Sequence, residues 1–590
     1  MHLHHLADPI VDALVSTTEE EEAVRFLLDA ESSRRLLVLR AILDAGAGVA
    51  SVAEAWELLE AAERVGPDSF RQVLLDPQVG LWAASLLRRL SRRDPSATAD
   101  EAPLHVELGF LRQVAVAVFI ACGADFRARV PVREGLVFLP GVGRATVGGD
   151  PWGTAEVRGD DGRVRVVAGD VSVTLPEKRD QDAPGWEGQR WLHARHAGMS
   201  LTLALDDLGP YAPVPTLTTS GRLSRAQFAS WQHWFERMWR VLVDRHRSRA
   251  RALTAGLRSV VPLPRGERLR ARAASSSDAF GCLLLSEPDE DAEFLPAQLG
   301  VAVLHEFRHT LLNGLLFLAP LFDETDELFY APWRDDPRPL GGLVHGAYAF
   351  SGVAQYWRSC GPEGLAGFEF AIWRNAVRVV LESLRNHPAM TPLGHTMIDG
   401  LAEQTEGWCA EPVGPREERL ARLAAVHHHA TWRAHHLQVS PAEATRLAES
   451  WRAGRRADIG ARIEPVLRVD VRARRLDSFA MLARLSLTVP VEFDALRVEE
   501  DPATKVPGVM PADLALLDGD AGTAVKLYSE ELAGPNSRPA AWAGLGLALT
   551  ECGEREAGTA VTTHPEVALA VARSLPAPPD PVLLAHWLAK

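Results

Sequence analysis

The spacing of apolar residues divides the chain into stretches of different predicted structure. Up to about residue 120, apolar residues recur at helical spacing, as in AVRFLLDAESSRRLLVLRAILDAG, which ends at Gly46. Over residues 128–216 the segments become short and rich in Val and Thr, and Gly, Asp and Pro separate them. That texture is typical of antiparallel strands. We therefore predict an N-terminal helical region over 1–127 and an antiparallel β segment over 128–216.

Helical spacing returns after residue 217. Ser224 is placed to cap a helix that begins SRAQFASWQHWF. Residues 279–286 predict a strand, and a long apolar helix follows it, with Pro320 at its end or just beyond. A loop with three prolines, DETDELFYAPWRDDPRPLGG, then leads to more helices. We assign residues 217–455 to one domain.

The last part of the chain, 456–590, resembles a loose tetratricopeptide-like helix pair. Its pattern is DLALLDGDAGTAVKLYSEELAGPNSRPAAWAGLGLALTECG. One or two such units do not form a solenoid, so we expect a helical interaction domain here. The predicted fold class is α+β, mainly helical, with a zincin-like metal-binding helix preceded by a strand.

Charge and hydropathy restrict the classes of partner. The formal net charge is -15, so no general field attracts nucleic acid or anionic lipid. No run approaches the roughly 20 apolar residues that span a bilayer. The first residues, MHLHHLADPIVDALVSTTEEEEAV, lack a basic stretch followed by an apolar one. We expect a cytoplasmic protein that binds neither nucleic acid nor membrane.

The cysteines exclude two kinds of site. There are five, scattered along the chain, and no two are spaced C-x-x-C. The pattern predicts neither a disulfide framework nor a cysteine-based metal site. Any metal must therefore rest on histidine and carboxylate ligands.

The strongest chemical signal is the motif H-E-x-x-H, formed by His305, Glu306 and His309. Two imidazoles four residues apart share one face of a helix and can hold one divalent metal. The motif is short enough to occur by chance. Here it lies within an apolar helix, a candidate strand precedes it, as in metallopeptidases with this motif, and a further histidine follows.

The third metal ligand has several candidates. Leu312 and Leu315 stand where a metzincin would have Gly and His, which excludes that class. Glu324 and Glu327 lie in a polar loop, whereas His345 begins an apolar helix in GGLVHGAYAF and is the stronger candidate. A structural histidine at 345 is the alternative. Three neutral imidazoles suit Zn(II), Fe(II) and Cu(II) alike, so the metal stays open.

A resemblance to one family narrows the chemistry. The stretches HEFRHTLLNGLLFLAPLF and YAPWRDDPRPLGGLVHGAYAF, followed by YW, closely resemble the H-E-x-x-H motif-containing peptide-modifying proteins of actinobacterial ribosomal-peptide gene clusters. The resemblance is specific over 275–357 and looser elsewhere. It implies a peptide β-hydroxylase that uses Fe(II), 2-oxoglutarate and O₂ on a ribosomally synthesised precursor peptide. The chain lacks a C-x-x-x-C-x-x-C motif, so it resembles the stand-alone form.

The residues can be compared with that chemistry. Fe(II) needs up to three protein ligands, two positions for the 2-oxo acid and one for O₂, and His305, His309 and His345 fit that count. Ordinary 2-oxoglutarate oxygenases use two histidines and one carboxylate instead, so this chain departs from their pattern unless Glu306 or a loop acid binds iron. Residues 275–277 are serines that either bind the co-substrate or cap the strand.

The distal carboxylate of the 2-oxo acid needs a cation. Arg334 and Arg338, in PWRDDPRP, are the candidates, because arginine binds a carboxylate through two parallel hydrogen bonds. The alternative is that both pair with Asp335 and Asp336 in a solvated loop. Trp333 either walls the site or packs within the loop.

Glu306 distinguishes two functions. In a zinc metallopeptidase acting on a precursor peptide, it is the general base that activates metal-bound water. In an oxygenase it orients a ligand or a water molecule. A third hypothesis is a helical scaffold in which the motif is accidental.

A second group of histidines lies in HHHATWRAHHL. It comprises His427, His428, His429, His435 and His436. Consecutive residues of a helix point in different directions, so these side chains cannot all serve one ion. We expect a structural or surface role for them.

Overall fold

The computed structural model describes residues 6, 8–15, 20–46, 50–91, 102–266, 272–287, 295–457, 459, 463–535 and 537–590. The chain is a mixed α+β protein and divides into two compact units, Met1–Ala319 and Pro320–Lys590. The boundary falls inside the region 217–455 that the sequence assigned to one domain. The four-part division of the chain stays a prediction.

The helices of the first unit surround its sheets. They are α1 (Asp8–Val15), α2 (Glu20–Ala45), α3 (Ala50–Val65), α4 (Pro67–Leu74), α5 (Pro77–Ser91), α6 (Leu104–Cys122), α7 (Arg225–Arg245), α8 (Arg247–Gly256) and α9 (Leu295–Leu316). The strands are β1 (Phe126–Pro131), β2 (Leu136–Leu139), β3 (Gly143–Thr146), β4 (Thr154–Asp160), β5 (Arg163–Ala168), β6 (Val171–Thr174), β7 (Trp186–Gly188), β8 (Arg190–His196), β9 (Met199–Leu205), β10 (Ser259–Leu263), β11 (Ala273–Ser275) and β12 (Cys282–Ser286).

Three sheets form from these strands. Two are antiparallel, with strand orders β1-β4-β5-β6 and β2-β3-β7. Alternating valines from both sheets and Trp186 form one core with α6, as expected for half-buried strands. This part confirms the predicted antiparallel segment.

The third sheet is mixed and was not predicted as one unit. Its order is β11-β12-β10-β9-β8. β10 is parallel to both β9 and β12, whereas β8 and β11 pair antiparallel with their neighbours. The last two strands of the predicted β segment therefore belong to the sheet that lies next to α9. A local pattern of alternation does not reveal which sheet a strand joins.

Local signals in the sequence predicted the start of α7 correctly and the start of a later strand approximately. Ser224 caps α7 through a capping box with Gln227. The predicted strand over 279–286 begins three residues later, at Cys282, because Gly281 has φ +79° and lies in a turn. The start predicted for the next helix, before Leu295, lies outside the described residues.

One described helix is long and apolar enough to cross a membrane. It is α6, with a mean hydropathy of 1.6. From the sequence we expected no apolar run close to the length that spans a bilayer, and α6 corrects that expectation. Of that window 72% is buried within the protein, where α6 packs on α3, α4 and β1. This is the burial of a core helix.

The second unit is mainly helical. Its helices are α10 (Leu340–Arg358), α11 (Gly364–Leu384), α12 (Pro392–Thr405), α13 (Pro415–His436), α14 (Pro441–Arg452), α15 (Ser478–Thr488), α16 (Pro490–Leu496), α17 (Pro511–Leu517), α18 (Ala521–Ala533), α19 (Ala540–Glu551), α20 (Arg555–Thr563), α21 (Pro565–Ser574) and α22 (Pro581–Leu588), with 3-10 turns at Glu406–Ala410 and Pro502–Thr504. Two short ribbons pair β13 (Leu328–Phe329) with β14 (Arg338–Pro339) and β15 (Leu437–Gln438) with β16 (Val466–Leu467).

Helix α13 is the centre of this unit. It packs against α11, α15, α19 and α21. Fully buried Asp513 accepts hydrogen bonds from the Tyr528 hydroxyl, at 2.5 Å, and from the Met510 amide, at 2.8 Å. The predicted helical C-terminal region is confirmed. Helix α13 packs this region against α11, and α11 in turn packs against α10.

Candidate metal-binding site

Helix α9 carries the H-E-x-x-H motif and packs against α2, α7, β11 and β12 in the first unit. Leu311, Leu312 and Leu315 on this helix are 0–1% exposed. Phe307 lies against Gly256, where an added Cβ would come within 2.9 Å of the phenylalanine ring. The leucines that exclude the metzincin pattern are thus core residues. Their burial fixes the rotation of the helix and therefore the face on which His305 and His309 lie.

His305 and His309 lie one turn apart and face each other. Their Nε2 atoms are 3.1 Å apart, and their ring planes are inclined by 82°. Two nitrogen ligands of one ion, each about 2.0 to 2.1 Å from it, lie roughly 3 Å apart. The pair therefore fits a single divalent metal. The same spacing also allows one ring to donate a hydrogen bond to the other.

The local environment keeps His305 neutral, which is the form that binds metal. Burial lowers the pKa of His305 to about 4, and the guanidinium of Arg308 lowers it further. Arg308 is itself 2% exposed and lies one turn along the helix face. A neutral imidazole presents a lone pair to an ion without first losing a proton.

Glu306 is tied to the neighbouring edge strand. Its Oε2 accepts a 2.8 Å hydrogen bond from the Oγ of Ser275, the last residue of β11. Burial raises the pKa of Glu306 to about 7, and the Ser275 hydrogen bond opposes that rise. Glu306 therefore has one fixed partner, on the strand that ends the mixed sheet. The sequence left the role of the serines at 275–277 open, and the structure gives Ser275 this one.

Within the described ranges, no group of three or more His, Cys, Asp or Glu side chains is arranged to hold a metal ion. The first unit supplies two imidazoles at ligand spacing, together with the carboxyl of Glu306 beside them. These donors fit a divalent metal as a pair, and the third ligand stays a prediction.

His345 belongs to the second unit, in the second turn of α10. Burial lowers its pKa to about 4, so it too is a neutral donor. Gly346 follows it, and a Cβ there would come within 2.0 Å of the Trp333 ring. Trp333 in turn stacks on Phe350 with a centroid distance of 4.7 Å. Glycine is thus required at 346, and Trp333 packs on the helix that carries His345.

Two more glycines bring the proline-containing loop onto α10. A Cβ on Gly341 would meet the Phe322 ring at 2.8 Å, and one on Gly342 would lie 3.3 Å from Arg338. The sequence Gly-Gly-x-x-x-Gly therefore lets the loop lie directly against the helix backbone. This close approach fixes the loop residues on either side of Trp333.

Arg334 and Arg338 share one carboxylate. Arg334 Nε lies 3.1 Å from Asp336 Oδ1, and Arg338 Nη1 lies 3.1 Å from Asp336 Oδ2. Burial opposes ionisation of Asp336, but the hydrogen bond from Arg338 and the charge of Arg334 outweigh it and lower its pKa. The alternative expected from the sequence, pairing within the loop, is therefore present. Both arginine side chains are still more than a third exposed, so donor atoms remain for a ligand.

Asp335 has a different function from its neighbour. Its two carboxylate oxygens accept hydrogen bonds from the backbone amides of Arg475, at 2.7 Å, and Leu476, at 3.0 Å. It holds the loop to a distant part of the same unit. The sequence treated Asp335 and Asp336 as equivalent partners of the arginines, and only the latter is.

The histidines of α13 hold the same loop. His428 Nδ1 lies 2.9 Å from the Tyr330 hydroxyl, and His436 Nε2 lies 2.8 Å from the Asp335 carbonyl oxygen. His428 and His436 are 6% and 0% exposed. The predicted structural role is confirmed for these two side chains, which contact different parts of the loop. Sequence reasoning missed Tyr330, and no motif marks it.

Glu324 and Glu327, the acidic alternatives for the third ligand, are exposed in the loop. Glu327 pairs with His387, 3.4 Å away. Both carboxylates are hydrated in the loop, so as metal ligands they are weaker candidates than the partly buried imidazole of His345.

Comparison with known proteins assigns the chain to no family. No protein-family model matches the chain, and no curated protein matches it. The site is therefore characterised by its own residues: a histidine pair at ligand spacing, and an adjacent carboxyl held by an edge strand.

Proposed function

We propose that the protein is an iron(II)/2-oxoglutarate-dependent dioxygenase that hydroxylates Cβ of a residue in a ribosomally synthesised peptide. The observation that supports metal binding is the His305–His309 pair, with 3.1 Å between the Nε2 atoms. The resemblance of residues 275–357 to peptide β-hydroxylases carries the choice of reaction. We place the protein in the cytoplasm, where ribosomal peptides are made.

The ligands would be His305, His309 and His345, as neutral imidazoles. Bound Fe(II) supplies the capacity to reduce O₂ while the 2-oxo acid is decarboxylated. Three protein ligands leave positions for the co-substrate and O₂. The low pKa values of His305 and His345 keep both rings in the donor form across the physiological range.

Glu306 would act as a positioning residue in this reaction. Its carboxyl is held by Ser275 beside the first ligand, where it can accept a hydrogen bond from a ligand or from water. It also marks where the peptide would lie. β11 is an edge strand, and an extended peptide can add to such an edge through backbone hydrogen bonds. A peptide paired there would pass beside the serine that binds Glu306.

Arg334 and Arg338 would bind the distal carboxylate of 2-oxoglutarate. Asp336 keeps both guanidinium groups together in the absence of ligand. Their position is fixed indirectly, because Asp335 is bound to two backbone amides and the loop lies on α10. A dicarboxylate would then compete with Asp336 for donors that are already ordered.

A zinc metallopeptidase is the second candidate. The edge strand beside the metal helix favours it, because a strand in that place would align an extended substrate in a zincin-like arrangement. Glu306 would then be the general base. The C-terminal helical region, whose sequence resembles a tetratricopeptide-like helix pair, would serve either function as an interaction surface for the precursor peptide.

Metal analysis and product analysis test the proposal. Protein loaded with Fe(II) without oxygen should bind 2-oxoglutarate in calorimetry. With candidate precursor peptides and O₂, it should release succinate and add the mass of one oxygen atom to the peptide. Stoichiometric zinc with peptide cleavage would replace the proposal by the peptidase, and absence of bound metal would leave the scaffold hypothesis.

Glu306→Gln separates the two enzymes further. The amide keeps the shape and the Ser275 contact but cannot take a proton from water. A peptidase should lose cleavage by orders of magnitude, whereas the hydroxylase should still form succinate at a reduced rate. Both should keep their metal, since no ligand is lost. His233→Ala, an exposed histidine on α7, is the control for non-specific effects.

A further inference from the structure

An open cleft of about 660 Å³ lies in the first unit, away from the motif residues of α9. It is lined by α2, α4, α8 and the turn between β8 and β9. The residues that carry its charge are Glu21, Arg25, Asp29, Arg71, Arg251 and Arg258. Its volume is in the range of ligand-binding pockets, which is about 300 to 1,000 Å³.

Four guanidinium groups and two carboxylates give the cleft a net positive charge. Arg25 pairs with Glu21 at 2.7 Å, and Arg71 pairs with Asp29. The structure gives Arg251 and Arg258 no carboxylate partner among the residues it describes. The protein as a whole carries a formal charge of -15, so this local excess of positive charge is opposite in sign to the average surface.

Arg258 differs from the other three arginines because one of its hydrogen-bond donors is buried without an acceptor among the described residues. Its Nε is buried and has no hydrogen-bond acceptor within the described part of the chain. Burial and the charges of Arg35 and Arg71 lower its pKa. Arg258 also lines the cleft, so an anion bound there would place a negative charge beside a guanidinium for which the described ranges contain no carboxylate partner.

We infer that this cleft binds an acidic stretch of a peptide chain. The cationic groups are spread around an open cleft, and three of them, Arg25, Arg71 and Arg251, are exposed. A single small anion is held best by donors that converge on one point, whereas several carboxylates along a chain match charges that are distributed. The inference goes beyond the proposed reaction, because the cleft contains no metal ligand.

The test is binding of a fluorescein-labelled hexaglutamate peptide to the full-length protein, measured by fluorescence anisotropy. The matched hexaglutamine peptide is the ligand control. The assay contains no 2-oxoglutarate, so a failure of the proposed reaction does not affect it. Binding of hexaglutamate, but not of hexaglutamine, is expected, and it should weaken as salt rises.

Three variants locate the binding. Arg251→Glu reverses the charge of an exposed side chain and should weaken hexaglutamate binding at least about tenfold. Arg258→Gln should weaken it by about tenfold to a hundredfold, because a charged donor that lines the cleft is lost. Arg165→Glu, an equal charge change on the exposed face of β5, should leave binding unchanged.

Several outcomes would overturn the inference. Equal binding of hexaglutamine would show that charge is not recognised. Hexaglutamate binding that survives Arg251→Glu, or that Arg165→Glu weakens as much, would assign binding to another surface. If hexaglutamate does not bind while inorganic phosphate stabilises the wild type but not Arg251→Glu, the cleft is a small-anion site and not a peptide site.

Discussion

Ser275 donates a 2.8 Å hydrogen bond to Glu306 and thereby joins the edge strand β11 to the metal-motif helix α9. The two residues are 31 positions apart in sequence. Glu306 is 5% exposed, so this contact satisfies a carboxyl oxygen that is removed from water. The position of the acid in the motif is therefore set by a strand as well as by its own helix.

Removing the serine hydroxyl should destabilise the fold without removing metal. Ser275→Ala leaves a buried carboxyl oxygen without its donor, which costs about 1 to 3 kcal/mol of unfolding free energy. Ser275→Thr retains a hydroxyl and should recover part of the loss. Urea unfolding and elemental analysis measure both quantities. Ser276→Ala is the neighbouring control, and a loss there as large as at 275 would contradict this assignment.

His305→Ala and His309→Ala should each abolish metal binding. Each substitution removes one of two donors whose Nε2 atoms are 3.1 Å apart. Metal content by elemental analysis is the measurement, with His233→Ala as the control. Full occupancy in either motif variant would show that the pair does not hold the ion.

His345→Ala should lower metal affinity and abolish activity, whereas Glu324→Gln and Glu327→Gln should not. The partly buried histidine is a neutral donor, and the two acids are exposed in the loop. Metal titration of the three variants decides among them. Normal affinity and activity in His345→Ala would return the choice to the acids.

Arg334→Leu or Arg338→Leu should raise the KM for 2-oxoglutarate about tenfold to a hundredfold. A charge-assisted pair contributes about 1.5 to 3 kcal/mol. Metal content should stay intact, and Lys should rescue only partly because it cannot make two parallel hydrogen bonds. A 2-oxoglutarate titration with succinate as the readout measures this. An unchanged KM in both variants would remove these arginines from the site.

The carboxyl of Asp76 should make stability fall between about pH 4 and pH 7, the range between its unfolded and folded pKa values. Burial and the charge of Asp206 raise the pKa of Asp76 from 3.8 to about 7. In that window the folded protein holds a proton that the unfolded chain has released, so rising pH favours unfolding, by at most about 1.4 kcal/mol per pH unit.

Asp76→Asn should therefore flatten the pH dependence, and the Asn side chain can still accept the hydrogen bond from the Gln78 amide. Urea unfolding at pH 5 and pH 7 measures the difference in slope between the two proteins. Asp170→Asn, at an exposed position, should behave as wild type. Equal slopes in wild type and Asp76→Asn would show that this carboxyl does not titrate in the window.

The sequence by itself determined what depends on neighbours a few residues apart. The 3.6-residue period placed His305 and His309 on one face, and Ser224 marked the start of α7. Short segments rich in Val and Thr, separated by Gly, Asp and Pro, predicted the antiparallel strands. These features follow from local dihedral preferences and from the direction of each side chain, which short stretches already specify.

Only the tertiary structure decided which distant groups meet. It placed β8 and β9 in the sheet next to α9, gave Glu306 its partner on β11, and bound His428 to Tyr330, 98 residues away. It also showed that Arg334 and Arg338 share Asp336, while Asp335 holds the loop from the other side. Such contacts depend on how whole elements pack to bury apolar surface, and no local period in the sequence encodes that packing.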